Sequence, residues 1–192
     1  MEQGKNNCCC SQVYPMIGAF GLPGPQGPPG PQGEPGTSTN GLAAYGGLYN
    51  SINQFPRFTA ADQPAQVSFN MTMPLKNVSA PGNNTIVIQL TGDYEIHYNL
   101  LINTVAAVNM ASAVRKNGTE ISSTRVTQNL ALDNATGFSY DGRLSASVIV
   151  SLQAGDVLDL TVTVVRLLPA NFDVVINNNG NAVLAVKKLD TQ

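Results

Sequence analysis

Between Tyr94 and Asn103 the chain alternates: Tyr94, Ile96, Tyr98, Leu100 and Ile102 are apolar, Glu95, His97, Asn99 and Asn103 are polar, and Leu101 breaks the polar side. Successive side chains of a strand point to opposite faces, so this two-residue period predicts a strand with one buried face. Related patterns predict strands at Gln66–Asn70, Thr85–Thr91, Ala111–Lys116, Arg125–Leu130, Ser145–Leu152, Val157–Val165 and Asn181–Leu189. Turn chemistry separates them at Pro81-Gly82-Asn83, Asn117-Gly118, Asp141-Gly142 and Asn179-Gly180, because Gly and Asn tolerate backbone conformations that other residues avoid. No convincing amphipathic helical period is visible. Many short strands at this spacing predict an all-β sandwich or jelly roll for residues 41–192.

Ahead of that region the period is three. Gly21, Gly24, Gly27, Gly30, Gly33 and Gly36 recur in register, with Pro in most of the slots between them. In a collagen triple helix three polyproline-II chains crowd one axis where only a residue without Cβ fits, so the spacing predicts a homotrimer. The rod covers residues 18–38, roughly 50–60 Å at about 3 Å per residue. A Pro/Gly-rich linker, the competing reading, needs no strict period. So few triplets cannot hold three chains by themselves, which assigns trimerisation to the β-head that follows.

Charged residues make up 11% of the chain and the net charge is -2, so there is no basic field with which to bind nucleic acid. No apolar run is long enough to span a bilayer, and the opening MEQGKNNCCCSQVYP has no secretory apolar core. The expectation is synthesis in a cytoplasm, no membrane partner, and display through release of a particle such as a spore or virus. Residues 1–17 form a polar head bearing Cys8, Cys9 and Cys10, the only cysteines. Adjacent cysteines pair poorly within one chain, so disulfide cross-links between chains, or to whatever carries the trimer, are the favoured reading. Reduced thiols and lipidation remain open; zinc is disfavoured because CxxC spacing is missing.

Catalytic chemistry finds no constellation. His97 is the sole histidine, and no nucleophile elbow, zinc motif or phosphate loop accompanies it. A polar residue on an outer or inter-subunit face, with a possible pH-sensitive role there, fits His97 better than a catalytic base. Asp156 in Gly155-Asp156 reads as a turn carboxylate accepting backbone donors rather than a metal ligand. Asp133 and Asn134 lack the spacing of a calcium loop. No cofactor, metal or enzyme activity is expected. The sequons at Asn70, Asn77, Asn83, Asn117 and Asn134 are attributed to the Asn/Thr/Ser-rich composition. Tyr45, Tyr49, Phe55, Phe58, Tyr94 and Tyr98 read as core or interface before they read as a ligand platform.

Several segments, taken in order, resemble the globular heads of the complement-q and tumour-necrosis-factor superfamily. Thr91-Gly92-Asp93-Tyr94-Glu95-Ile96 resembles its Gly-x-Tyr strand, Lys116-Asn117-Gly118 its hairpin turn, and Leu152-Gln153-Ala154-Gly155-Asp156-Val157-Leu158 its Leu-x-x-Gly-Asp strand opening. The segment Gly180–Leu189 fits the last strand less well. Ala44-Tyr45-Gly46-Gly47-Leu48-Tyr49-Asn50 is similar, more specifically, to the start of the head in BclA-type collagen-like glycoproteins of the bacterial spore surface, the exosporium. The resemblance implies a trimeric TNF-like jelly-roll head preceded by a short collagen triple helix, with a structural and adhesive role. Two departures matter. Thr37 is the one obvious hydroxyl carrier of a short rod, against heavy rod glycosylation, and the Cys triplet stands where the exosporium protein has a Pro-rich targeting segment. Cysteine-bearing connectors of this kind resemble those of spore appendage pilins, which suggests a fibril at an appendage tip, held by disulfides to a spore-surface or appendage protein. The alternatives are an adhesin or lectin-like head that recognises a glycan or host protein, and a bacteriophage fibre component.

Overall fold

The computed structural model describes residues 26–27, 30, 41–104, 108–130, 140–166, 172–176 and 182–189. The chain divides into two compact units, Met1–Thr37 and Ser38–Gln192. In the first, Gln26, Gly27 and Gly30 are exposed and outside regular secondary structure. A Cβ placed on Gly27 or Gly30 meets nothing within 4 Å. Cys8, Cys9, Cys10, Gly21, Gly24, Gly33 and Gly36 lie outside the described residues.

The second unit is all-β. Its strands are β1 (Tyr45–Tyr49), β2 (Arg57–Phe58), β3 (Pro64–Gln66), β4 (Met71–Thr72), β5 (Val78–Ser79), β6 (Ile86–Ile88), β7 (Gly92–Thr104), β8 (Val108–Lys116), β9 (Thr119–Glu120), β10 (Val126–Leu130), β11 (Tyr140–Leu152), β12 (Val157–Arg166), β13 (Phe172–Ile176) and β14 (Ala182–Lys188). Among the described residues the helices are two short 3-10 turns, Pro81–Asn83 and Ser122–Thr124. All pairings are antiparallel. In the first sheet β7 is the spine: β11 pairs along its whole length on one edge, while β14 and then β13 share the other. Next to β14 come β1 and β4. The second sheet runs β10-β8-β12-β6-β5, with β9 on β8 and β3 on β12.

The alternation read at β7 is the core. Tyr94, Ile96, Tyr98, Leu100 and Ile102 are at most 1% exposed, and they face Met110 and Val114 of β8 and Leu158, Leu160, Val162 and Val164 of β12, all buried. One polar node crosses this interior. The Tyr98 hydroxyl donates to the Thr124 carbonyl at 2.7 Å and accepts from Ser112 Oγ at 2.9 Å. Thr124 Oγ1 in turn accepts the Val114 N–H at 2.9 Å. Burial pushes the Tyr98 phenol up, so it stays a donor.

Two expectations need correction. Gln66–Asn70 is not a strand beyond Gln66. Val67 and Phe69 are buried as the alternation requires, but side-chain amides take the backbone donors that a ladder would use: Ser68 N–H bonds Gln54 Oε1 at 2.7 Å and Phe69 N–H bonds Asn84 Oδ1 at 3.0 Å. Asp141-Gly142 is not a turn. It lies inside β11, paired with Asn103 and Ile102, and a Cβ on Gly142 would overlap Leu130, so this glycine permits a close approach of side chains rather than a reversal. Asn117-Gly118 does make its turn, with φ of 52 and 81. Asn179-Gly180 lies outside the described residues.

Candidate functional site

The period that buries Tyr98 sends Glu95, His97, Asn99 and Leu101 to the opposite face of β7. Register decides their company. On β11, Ile149, Ser147, Ser145 and Arg143 stand beside them in that order. On β14, Lys187, Ala185 and Val183 stand beside Glu95, His97 and Asn99, and beyond these come Tyr45, Gly47 and Tyr49 of β1. Ile149 is 67% exposed and Met71, paired with Tyr49, is 43% exposed. Leu101, Tyr49, Val183 and Ala185 are half-buried. The face is thus mixed: Ile149, Leu101, Val183, Ala185, Tyr45, Tyr49 and Met71 stand among Glu95, His97, Asn99, Arg143, Ser145, Ser147 and Lys187.

The outward face of the second sheet is different. Arg115 of β8 forms an ion pair with Asp159 of β12, and Gln66 Nε2 donates to the same carboxylate at 3.0 Å. Thr161 and Thr163 follow Asp159 along the same side of β12, and Thr127 and Asn129 of β10 are exposed. The face is polar but Asp159, Thr161 and Thr163 are themselves buried, so exposed large apolar side chains such as Ile149 and Met71 are what set the first sheet apart.

The Glu95 charge on the first face is paired locally, while Arg143 beside Leu101 is exposed. Lys187 Nζ lies 2.6 Å from Glu95 Oε2, and Ser147 Oγ donates to Glu95 Oε1 at 2.6 Å. Lys187 first and Ser147 second hold the Glu95 carboxyl below the usual range. His97 is exposed and borders a shallow depression of about 260 Å³ lined also by Glu95, Ala185, Val186 and Lys187. Ser147, His97 and Glu95 are therefore neighbours, yet they do not make the relay that a hydrolase needs. The serine hydroxyl bonds the carboxylate directly instead of the imidazole. Among the described residues no three His, Cys, Asp or Glu side chains gather as a metal site, and no helix is long and apolar enough to cross a membrane.

Asp156 has the turn role read for it. Its Oδ2 accepts the Gln153 N–H at 2.8 Å, its Oδ1 accepts Asn117 Nδ2 at 2.8 Å, and Lys116 Nζ lies 3.8 Å away. The Gln153 backbone bond is the leading cause that lowers its proton affinity. A depressed folded-state value contributes stability above the unfolded carboxylate value, about 3.9 for Asp, and loses it as pH falls through the folded value. Asp156→Asn should accordingly be less stable than wild type at neutral pH, with the gap closing in acid; melting temperatures of both across that range check this. A gap independent of pH would place the carboxylate's charge outside the turn's stability.

The other candidates divide. Tyr94, Tyr98 and Phe58 are core, Tyr45 and Tyr49 lie on the first sheet's outward face, and Phe55 is exposed in a loop. Three sequon amides are structural: Asn70 Nδ2 donates to Ser51 Oγ, Asn77 Nδ2 to the Ala43 carbonyl, and Asn117 Nδ2 to Asp156. Asp133 and Asn134 lie outside the described residues. Sequence reading passed over Ile149, Val183, Ala185 and Met71. A signal existed for Ile149: it is the apolar intruder in the polar series Ser145, Ser147, Ser151.

No protein-family model and no curated protein sequence matches this chain. Solved structures do. The crystal structure of murine APRIL at pH 5.0 matches with a TM-score of 0.56 and 12% identity, covering 76% of this chain and 98% of that one. Eiger TNF from S. frugiperda matches with a TM-score of 0.53 and 11% identity, over 79% of this chain and 95% of that one. The second unit is a TNF-like jelly roll. At such identities the likeness is one of fold, and the TNF-like head must be assigned a role from its own surface.

Proposed function

We propose that this protein is a structural, non-enzymatic homotrimer displayed on a surface, in which the TNF-like head joins three chains through the outward face of β11, β7, β14 and β1. The observation that carries the reading is the set of exposed and half-buried apolar side chains on that face, Tyr45, Tyr49, Leu101, Ile149, Val183 and Met71, against a second sheet whose outer face is built around the Arg115–Asp159 pair with Thr161 and Thr163. A sheet face of this composition is an association surface. The glycine period supports three copies. A strict three-residue glycine register is what the shared axis of three polyproline-II chains demands.

The rest of the proposal follows the sequence. Cys8, Cys9 and Cys10 attach the trimer covalently to a partner, residues 18–38 form a collagen spacer, and the site of display is a bacterial spore surface or appendage tip. A second reading, a head that recognises a glycan or matrix protein, is favoured by one feature. Gln54 and Ser51 clamp the loop after β1 onto Ser68 and Asn70, leaving Ile52 and Phe55 58% and 65% exposed. Light scattering of the full chain and of residues 41–192 tests the trimer directly. Both should give the mass of three chains; a stable monomeric head would remove the reading.

A further inference from the structure

Asn117-Gly118 is one of three Asn-Gly pairs in the chain, with Asn40-Gly41 and Asn179-Gly180. Asn-Gly is the dipeptide most open to deamidation, because glycine leaves the following backbone nitrogen unhindered. In that reaction the Gly118 nitrogen bonds to Asn117 Cγ and the side-chain nitrogen leaves as ammonia. Water then opens the cyclic imide at either carbonyl, giving aspartate or isoaspartate. The net exchange is one water consumed for one ammonia released, with no other reagent.

The surroundings of Asn117 oppose each step. Its Oδ1 accepts the Val157 N–H at 2.9 Å, and its Nδ2 donates to Asp156 Oδ1 at 2.8 Å. The amide thereby stitches the β8–β9 turn to the start of β12, where the Asn117 N–H also bonds the Val157 carbonyl at 2.8 Å. Swinging Cγ onto the Gly118 nitrogen and releasing the amide group requires both side-chain bonds to break, one of them to a carboxylate. Bonds to charged acceptors are the stronger kind. We propose that Asn117 is a latent deamidation site held shut by Asp156 and the Val157 N–H, so that its conversion reports opening of the β8–β9 turn. The product would set a second carboxylate against Asp156 at hydrogen-bond distance, a like-charge contact that keeps the turn from reclosing as before. The lock and its release are confined to one subunit and do not depend on the trimer.

The test ages the full-length protein in mildly alkaline buffer and follows Asn117 by peptide mass mapping. The native protein should convert Asn117 at least about tenfold more slowly than the same chain unfolded in urea, since each tenfold is about 1.4 kcal/mol of bonds to be broken. In urea the Asn40 and Asn179 peptides serve as clocks for an unprotected pair. Asp156→Ala should bring the native rate several-fold toward the unfolded one. Equal rates in native and unfolded protein would overturn the lock, and a native rate unchanged by Asp156→Ala would remove Asp156 from it. If that variant does not fold, the comparison of native and unfolded wild type still decides whether the site is shut.

Discussion

Ile149→Arg should convert the protein from trimers to monomers while leaving each head folded. Ile149 is 67% exposed in a single head, so the substitution should change the stability of the isolated fold by less than about 0.5 kcal/mol. In the proposed trimer the same position would meet another copy. An arginine buried there without a partner costs several kcal/mol, and threefold symmetry repeats that cost at every interface. Glu95, its cross-strand neighbour, is already held by Lys187 and Ser147, so it offers the new charge little relief. Light scattering should show one-chain mass and circular dichroism an unchanged β spectrum. A trimer that survives the substitution at the same protein concentration would move the interface off this face.

The second large effect lies in the core. Tyr98→Phe should destabilise the head by about 1–3 kcal/mol, because the Thr124 carbonyl and the Ser112 hydroxyl lose a buried partner. Tyr98→Ala adds the loss of a ring that is 0% exposed, for a total of about 3–5 kcal/mol. For a unit of this size each kcal/mol corresponds to about 2–4 °C in melting temperature. The difference between the two variants separates the hydroxyl's share from the ring's. A Phe variant as stable as wild type would mean that Ser112 and Thr124 repair their hydrogen bonds elsewhere.

Much of the fold is legible in the chain because burial imposes a period. The long strands β7, β8, β11, β12 and β14 were readable from alternation, with ends misplaced by a few residues. The two-residue strands β2, β4, β5 and β9 were not, since a pair of residues carries no period. Gln66–Asn70 misled for a different reason: Val67 and Phe69 alternate in burial as strand residues do, yet Gln54 and Asn84, distant in sequence, supply the hydrogen bonds. At Gly142 the same glycine signal that marks a turn marked a close packing contact with Leu130. Composition cannot tell those two uses apart.

The candidate face divides along the same line. By itself the sequence determined that β7 has a polar side carrying Glu95, His97 and Asn99, that Tyr94 and Tyr98 point inward, and that the glycines from Gly21 to Gly36 keep a three-residue register. These are local consequences of chain geometry, one residue's side following from its neighbour's. Only the tertiary structure decided which strands stand beside that polar side. Pairing with β11, β14 and β1 brings Ile149, Val183 and Tyr49 around His97 from positions far apart in the chain. Cross-strand register is a long-range choice, set by which faces can be buried together, and it sets apolar side chains from three other strands beside a strand side that reads as simply solvated.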